Sequence, residues 1–230
     1  MATYLKHRGV SVSTVVLVLV VIAILQGGVS YSTTFGSLGA LDRASGDDLA
    51  RVGWLGLRGL AIVVTFALWV LDRRHALSRA IVLTNGLLTM GLVANLVALL
   101  GVLSGSSSQD ISTLLTDVVL MAITNILVFS IWYWLLDPPG ISDGPHEDRP
   151  WDFLFPQRAA VIPHYETWLP RYTDYLYVAF TASFSFSPTD AMPLTRRAKL
   201  LMLLQAAISI VTLTGIASSA INILAGASGS

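Results

Sequence analysis

Residues 177–193 read YVAFTASFSFSPTDAMP, and the way this stretch sits decides the fold. From Thr181 every second residue carries a hydroxyl (Thr181, Ser183, Ser185, Ser187 and Thr189), and Asp190 closes the series. Ala182, Phe184, Phe186 and Pro188 lie between them. The stretch is too apolar for a loop. It is also too short, and too rich in Ser and Pro, for a membrane span. Residues 175–189 are uncharged, but as a helix they cover only about 22 Å of a hydrocarbon layer ~30 Å thick. A full crossing would carry Asp174 or Asp190 into the hydrocarbon. The spacing therefore predicts a re-entrant segment: a short helix from 172 to 182, then extended chain returning to the surface it left. Extended backbone at that depth needs protein or a water-filled cavity to satisfy it. In an extended chain alternate side chains share a face, so the five hydroxyls and Asp190 would form a pore lining, backed by Phe184, Phe186 and Pro188.

The rest of the chain supplies the membrane context. Of 230 residues, 54% are hydrophobic and 12% charged, with a mean hydropathy of +0.69. Soluble domains run near 25% charged. Long uncharged runs predict spans at about 11–30, 80–103, 118–136 and 200–224. A fifth at about 52–71 contains Arg58, read as lying near one end, where a long side chain reaches the headgroups. The fold class expected is all-α integral membrane: five transmembrane helices plus one re-entrant, pore-loop-like half-helix. Residues 1–136 hold four spans and 137–171 an interfacial, cytoplasmic linker. Residues 172–224 hold the half-helix, the extended strip and the last span, and 225–230 form a tail.

Basic residues set the expected orientation. With five spans, eleven Lys and Arg fall on the N-terminal side and three on the other. Leaving out Arg158 and Arg171, which are far from any span, nine remain against three. Positive charge marks the cytoplasmic side. The expectation is a multi-pass protein of the plasma (inner) membrane with a cytoplasmic N-terminus, its first span a retained anchor. The linker DPPGISDGPHEDRPWDFLFPQR shows no helical period. Its aromatics, with Trp132, Tyr133 and Trp134, suit the headgroup level.

The segment DYLYVAFTASFSFSPTDAMPLTRRAKLLMLLQAAIS resembles the pore-helix, filter and inner-helix unit of potassium-channel-like proteins over about 174–224. Phe180 matches the helix aromatic, Asp190 the filter Asp, Pro193 the following Pro, and Arg197 or Lys199 the base that opens the inner helix. It is also similar to a group of uncharacterised bacterial membrane proteins that share the FSPTD–MPL ending. The resemblance implies a homo-oligomer, a tetramer by analogy, around a path for small cations. The filter itself is degenerate. No glycine lies between Ala179 and Ala198, and Pro188 fixes its own φ. A stack of filter carbonyls is therefore not expected, and selectivity should be weak.

Other polar residues fall within the spans: Asn85, Asn95, Asp117, Asn125, Gln205 and Asn222. The amides read as interhelical hydrogen-bond partners. Asp117, one turn into its span, either reaches the interface or binds a proton or cation. Asp190 either serves the mouth of a pore or caps the next helix and pairs with Arg196 or Arg197. Gly53, Gly56 and Gly59 read as a close-packing face. The four histidines show no ligand spacing, cysteine is absent, and no enzyme motif or basic tract is present, so enzyme, metal, cofactor and nucleic-acid readings are set aside. The expected function is a weakly selective small-cation pore formed by an oligomer in the lipid bilayer. The alternative is a non-conducting scaffold or accessory subunit with a relic pore loop.

Overall fold

The computed structural model describes residues 9–37, 47–104, 111–137, 151–159, 162–163, 168–185 and 191–227. Among them run helices α1 (Gly9–Ser37), α2 (Asp47–Val70), α3 (Arg74–Ser104) and α4 (Ile111–Leu136). Strand β1 (Phe153–Leu154), helices α5 (Pro156–Ala159) and α6 (Tyr172–Ser185), strand β2 (Met192–Pro193) and helix α7 (Arg196–Ala227) follow. The fold is all-α apart from the two-residue strands, which pair antiparallel, Phe153 with Pro193 and Leu154 with Met192.

Four helices are long and apolar enough to cross a membrane, at Val12–Val29, Arg74–Gly101, Leu115–Leu136 and Arg196–Gly215. They coincide with four of the five expected spans, as in a multi-pass membrane protein. In α2 the apolar part, Gly56–Val70, is shorter. Helix α4 is the hub: it packs against α1, α3, α6 and α7. Val118, Val128, Phe129, Ile131, Tyr133 and Trp134 are all fully buried, so neighbouring helices cover these side chains of an otherwise apolar helix. Asn85 of α3 donates through Nδ2 to the Val128 carbonyl (3.2 Å), and Trp132 Nε1 donates to Thr89 Oγ1 (2.8 Å). These bonds lock α3 against α4.

Helices α2 and α3 form a hairpin. The turn between them is Leu71–Arg73, with Asp72 at φ 49°, a left-handed conformation that Asp tolerates better than most residues. The Asp72 carboxylate accepts from Arg74 Nε (3.0 Å). Further along, the Thr65 and Thr84 hydroxyls meet at 2.9 Å. Gly56 and Gly59 of α2 do not pack closely on another helix of this chain. A Cβ added at Gly56 or Gly59 would meet nothing within 4 Å, so this face is open within the chain.

Arg58 corrects the sequence reading. It is only 6% exposed and lies across the backbone of Gly91 on α3. A Cβ on Gly91 would overlap its guanidinium, and Gln26 Oε1 of α1 lies 2.8 Å from the same point. Gln26 Nε2 donates to the Leu88 carbonyl (2.6 Å). Arg58 is thus held between α1 and α3, eleven residues from the start of α2, rather than reaching for headgroups. A glycine opposite is what makes room for a side chain of that size. The tenant of a helix-facing glycine sits on another helix, so spacing within one span could not identify it.

The aromatics at this end of the bundle pack on one another: Tyr133, Phe153, Phe155 and Tyr175 are buried together. Their rings meet edge-on, Tyr133 to Phe153 at 5.1 Å and Phe155 to Tyr175 at 5.6 Å between centroids, a favoured aromatic geometry. Phe155 also meets Trp168 at 5.5 Å. This core gives residues 151–159 the short strand and helix that local sequence did not predict.

The Gly91 contact yields a test. Gly91→Ala should lower the thermal stability of the detergent-solubilised protein by about 1–3 kcal/mol, the usual cost of overpacking. In an Arg58→Ala background the same change should cost less than half as much, since the two residues share one space.

Candidate functional site

The site is helix α6 and what fastens it. Arg171 precedes the helix, and its backbone N–H donates to Asp174 Oδ2 (2.6 Å), satisfying one of the donors a helix start leaves over. Burial pushes the Asp174 carboxyl up from its ordinary range, while the Arg171 N–H and charge pull it back. On the buried face come Tyr172, Tyr175, Val178, Ala179, Ala182 and Ser183, at the three- and four-residue intervals of one helix side.

Gln205 of α7 holds the far part of this face. Its Nε2 donates to the Ala179 carbonyl (2.8 Å) and to Ser183 Oγ (2.7 Å). Its Oε1 accepts from the Tyr133 hydroxyl of α4. A carbonyl can only accept, so Ala179 fixes which way the amide points. One turn on, Asn125 Nδ2 of α4 donates to Ser209 Oγ (2.8 Å) and to the Gln205 carbonyl (3.4 Å). One amide therefore joins α4, α6 and α7. The pairs Asn125–Ser209 and Tyr133–Gln205 also set α4 and α7 antiparallel, which puts Asp137 and Arg196 at the same end of the bundle.

At that end Asp137 is a second fastening. Its carboxylate is fully buried. Oδ1 accepts from the backbone N–H of Asp152 (2.9 Å) and of Phe153 (3.1 Å). Oδ2 accepts from Arg158 Nη1 (2.9 Å) and from the Tyr175 hydroxyl of α6 (2.6 Å). Arg158 also lies over the Trp151 ring at 4.8 Å. Asp152, equally buried, accepts from Arg197 Nε (2.9 Å) and Nη2 (3.1 Å) and from the Thr195 hydroxyl. Thr195 Oγ1 accepts in turn from the Ala198 N–H (3.3 Å), capping α7. Thr195 thus caps α7 and Asp152 pairs with Arg197; Asp190, weighed for both roles, lies outside the described residues.

The predicted strip is only partly in view. Helix α6 runs to Ser185, three residues past its expected end, so Thr181, Ser183 and Phe184 are helical rather than extended. Thr181 Oγ1 bonds back to the Tyr177 carbonyl (3.0 Å) and the Val178 carbonyl (3.1 Å) of its own helix. Ser183 is buried on Gln205. Phe184 is exposed beside Phe180, with 4.9 Å between ring centroids. Ser185 ends the helix. Phe186, Ser187, Pro188, Thr189 and Asp190, and the side chain of Asn222, lie outside the described residues. Asn95 and Asp117 are buried. Asn85, Asn125 and Gln205 make interhelical bonds, as their residue type suggested. Tyr133, Asp137, Asp152 and Tyr175 were missed. The only local signal was an Asp directly after an uncharged nineteen-residue run at 118–136.

Among the described residues no three His, Cys, Asp or Glu come together as metal ligands. Comparison with protein-family models, with curated proteins and with solved structures finds no match to this chain.

Gln205→Leu should strand the Tyr133 and Ser183 hydroxyls in the interior and cost about 2–6 kcal/mol, at 1–3 kcal/mol per buried unsatisfied group. Ser183→Ala should cost about 1 kcal/mol. Asp137→Asn leaves the Arg158 charge buried without its carboxylate and should cost about 3–5 kcal/mol. Chemical unfolding followed by Trp fluorescence would rank the three.

Proposed function

We propose that the protein is a non-conducting, multi-pass scaffold or accessory subunit of the plasma membrane, with five spans, a cytoplasmic N-terminus and α6 as a re-entrant half-span. It would act by presenting surfaces to lipid and protein neighbours rather than by moving a solute or breaking a bond. The observation that carries this reading is the Ser183–Gln205 bond. A hydroxyl buried in its own chain and used by a buried amide is not available to hydrate an ion.

The architecture around it rests on three supports. Leu57, Leu60, Val63, Phe66 and Val70 on helix α2 are exposed and apolar, as a lipid-facing helix requires. Helix α6, at fourteen residues, reaches only about 21 Å. Both ends of its loop are tied at one end of the bundle, Tyr175 to Asp137 and Leu194 to the Asp152 carbonyl (2.9 Å). The N-terminal side carries the greater share of Lys and Arg.

That same-end fastening is also what a pore loop has, and it favours a second reading. In that reading a homo-oligomer, a tetramer by analogy with potassium-channel-like proteins, passes small cations past residues 185–190. Purified protein in liposomes separates the two. The scaffold reading predicts no flux of sodium, potassium or protons at any applied potential. Cation flux that falls in Asp190→Asn, most at low salt where screening is weakest, would replace it with the pore. The half-span has its own test: cysteines at Thr173 and Leu194 should react with an impermeant thiol reagent from the same side of the membrane. Labelling from opposite sides would make α6 a crossing.

A further inference from the structure

Helix α7 opens with three cations in four residues, Arg196, Arg197 and Lys199, and the fold sorts them. Arg197 pairs bidentately with Asp152, and Ala198 next to it is fully buried. Arg196 and Lys199 are exposed and have no acidic partner among the described residues. They are three residues apart, on one helix side. That side continues through Leu200, Leu203 and Ile210, exposed by 66%, 66% and 52%. It is therefore an exposed apolar stripe with two exposed cations at its head. Arg73 and Arg79, also exposed, lie at the same end of the bundle and add to the positive field.

We propose that this face binds an anionic phospholipid, its headgroup phosphate between Arg196 and Lys199 and an acyl chain along Leu200, Leu203 and Ile210. The charge pattern selects an anion. The stripe selects one that carries a hydrocarbon tail: the cations stand at the head of an apolar track about 15 Å long at ~1.5 Å per residue. A hydrated free phosphate could use the two cations and nothing beyond them. Long basic side chains reach from the apolar zone to the headgroups, and cations at a membrane surface attract anionic lipid additively. The site goes beyond the scaffold reading and stands whether or not residues 185–190 conduct.

The test uses full-length protein in a neutral detergent, titrated with short-chain phosphatidylglycerol and, separately, with phosphatidylcholine of the same chain length. Bound lipid is counted by native mass spectrometry. Wild type should retain phosphatidylglycerol in preference to phosphatidylcholine. Arg196→Gln/Lys199→Gln should weaken phosphatidylglycerol binding about thirtyfold, roughly fivefold for each surface cation, with phosphatidylcholine unchanged. Arg73→Gln/Arg79→Gln should change it less than threefold. Should the Arg196/Lys199 double variant fold poorly, Lys199→Gln alone serves, with a fivefold loss expected. Equal retention by wild type and variant overturns the site. An equal loss in the Arg73/Arg79 variant reduces it to general surface charge and overturns it too. Displacement of the lipid by millimolar inorganic phosphate would assign a free-anion site and contradict the acyl track.

Discussion

A carboxylate with no exposure to water, placed where a transmembrane helix ends, is unfavourable unless every lone pair is answered. Asp137 meets that constraint with two backbone N–H groups, a guanidinium and a phenol. The donors come from two segments, residues 152–158 and helix α6, and satisfying them dictates the local fold. The backbone donors require residues 152 and 153 to turn back over the end of α4. Arg158 then needs α5 to place it, and the phenol fixes the start of α6. Removing one partner of such an arrangement costs far more than the arrangement contributes over an apolar equivalent, which is why its value lies in specifying one packing.

Gln205 applies the same logic deeper in the bundle. A primary amide has two donors and an acceptor to place, and in an apolar interior they find the Ala179 carbonyl, the Ser183 hydroxyl and the Tyr133 hydroxyl. Asp137 and Gln205 together hold a helix of fourteen residues, about 21 Å long, at both of its ends. The scaffold reading follows from this double fastening. Polar side chains that would be conspicuous on a pore wall are here engaged with one another.

Periodicity and charge made the long helices legible, because a charge-free run of twenty residues has few other physical solutions. They also made legible that 172–185 starts as a helix and that the interior amides bond across helices. What they could not show was which distant group each polar residue meets. Arg58 seemed to need an interface only because Gly91 and Gln26 are in other spans. Nor did local sequence show that Phe153, Phe155 and Tyr175 pack on Tyr133 and on one another, where Asp137 brings them together. The alternation of hydroxyls from Thr181 suggested extended chain, yet a two-residue period carries no such meaning inside a helix. There Thr181 bonds its own backbone and Ser183 turns to Gln205.

The central claim is that α6 is latched, with Ser183 turned inward onto Gln205. The chain has no cysteine, so Ser183→Cys introduces a single thiol whose reaction with a small water-soluble maleimide reads its access to water directly. Thr173→Cys, exposed at the Asp137 end, sets the reference rate. A latched helix predicts that Ser183→Cys reacts at least a hundredfold more slowly than the reference until the protein is unfolded. Reaction at a rate within a few-fold of Thr173→Cys would mean that water reaches this face of α6, and the latch would be contradicted.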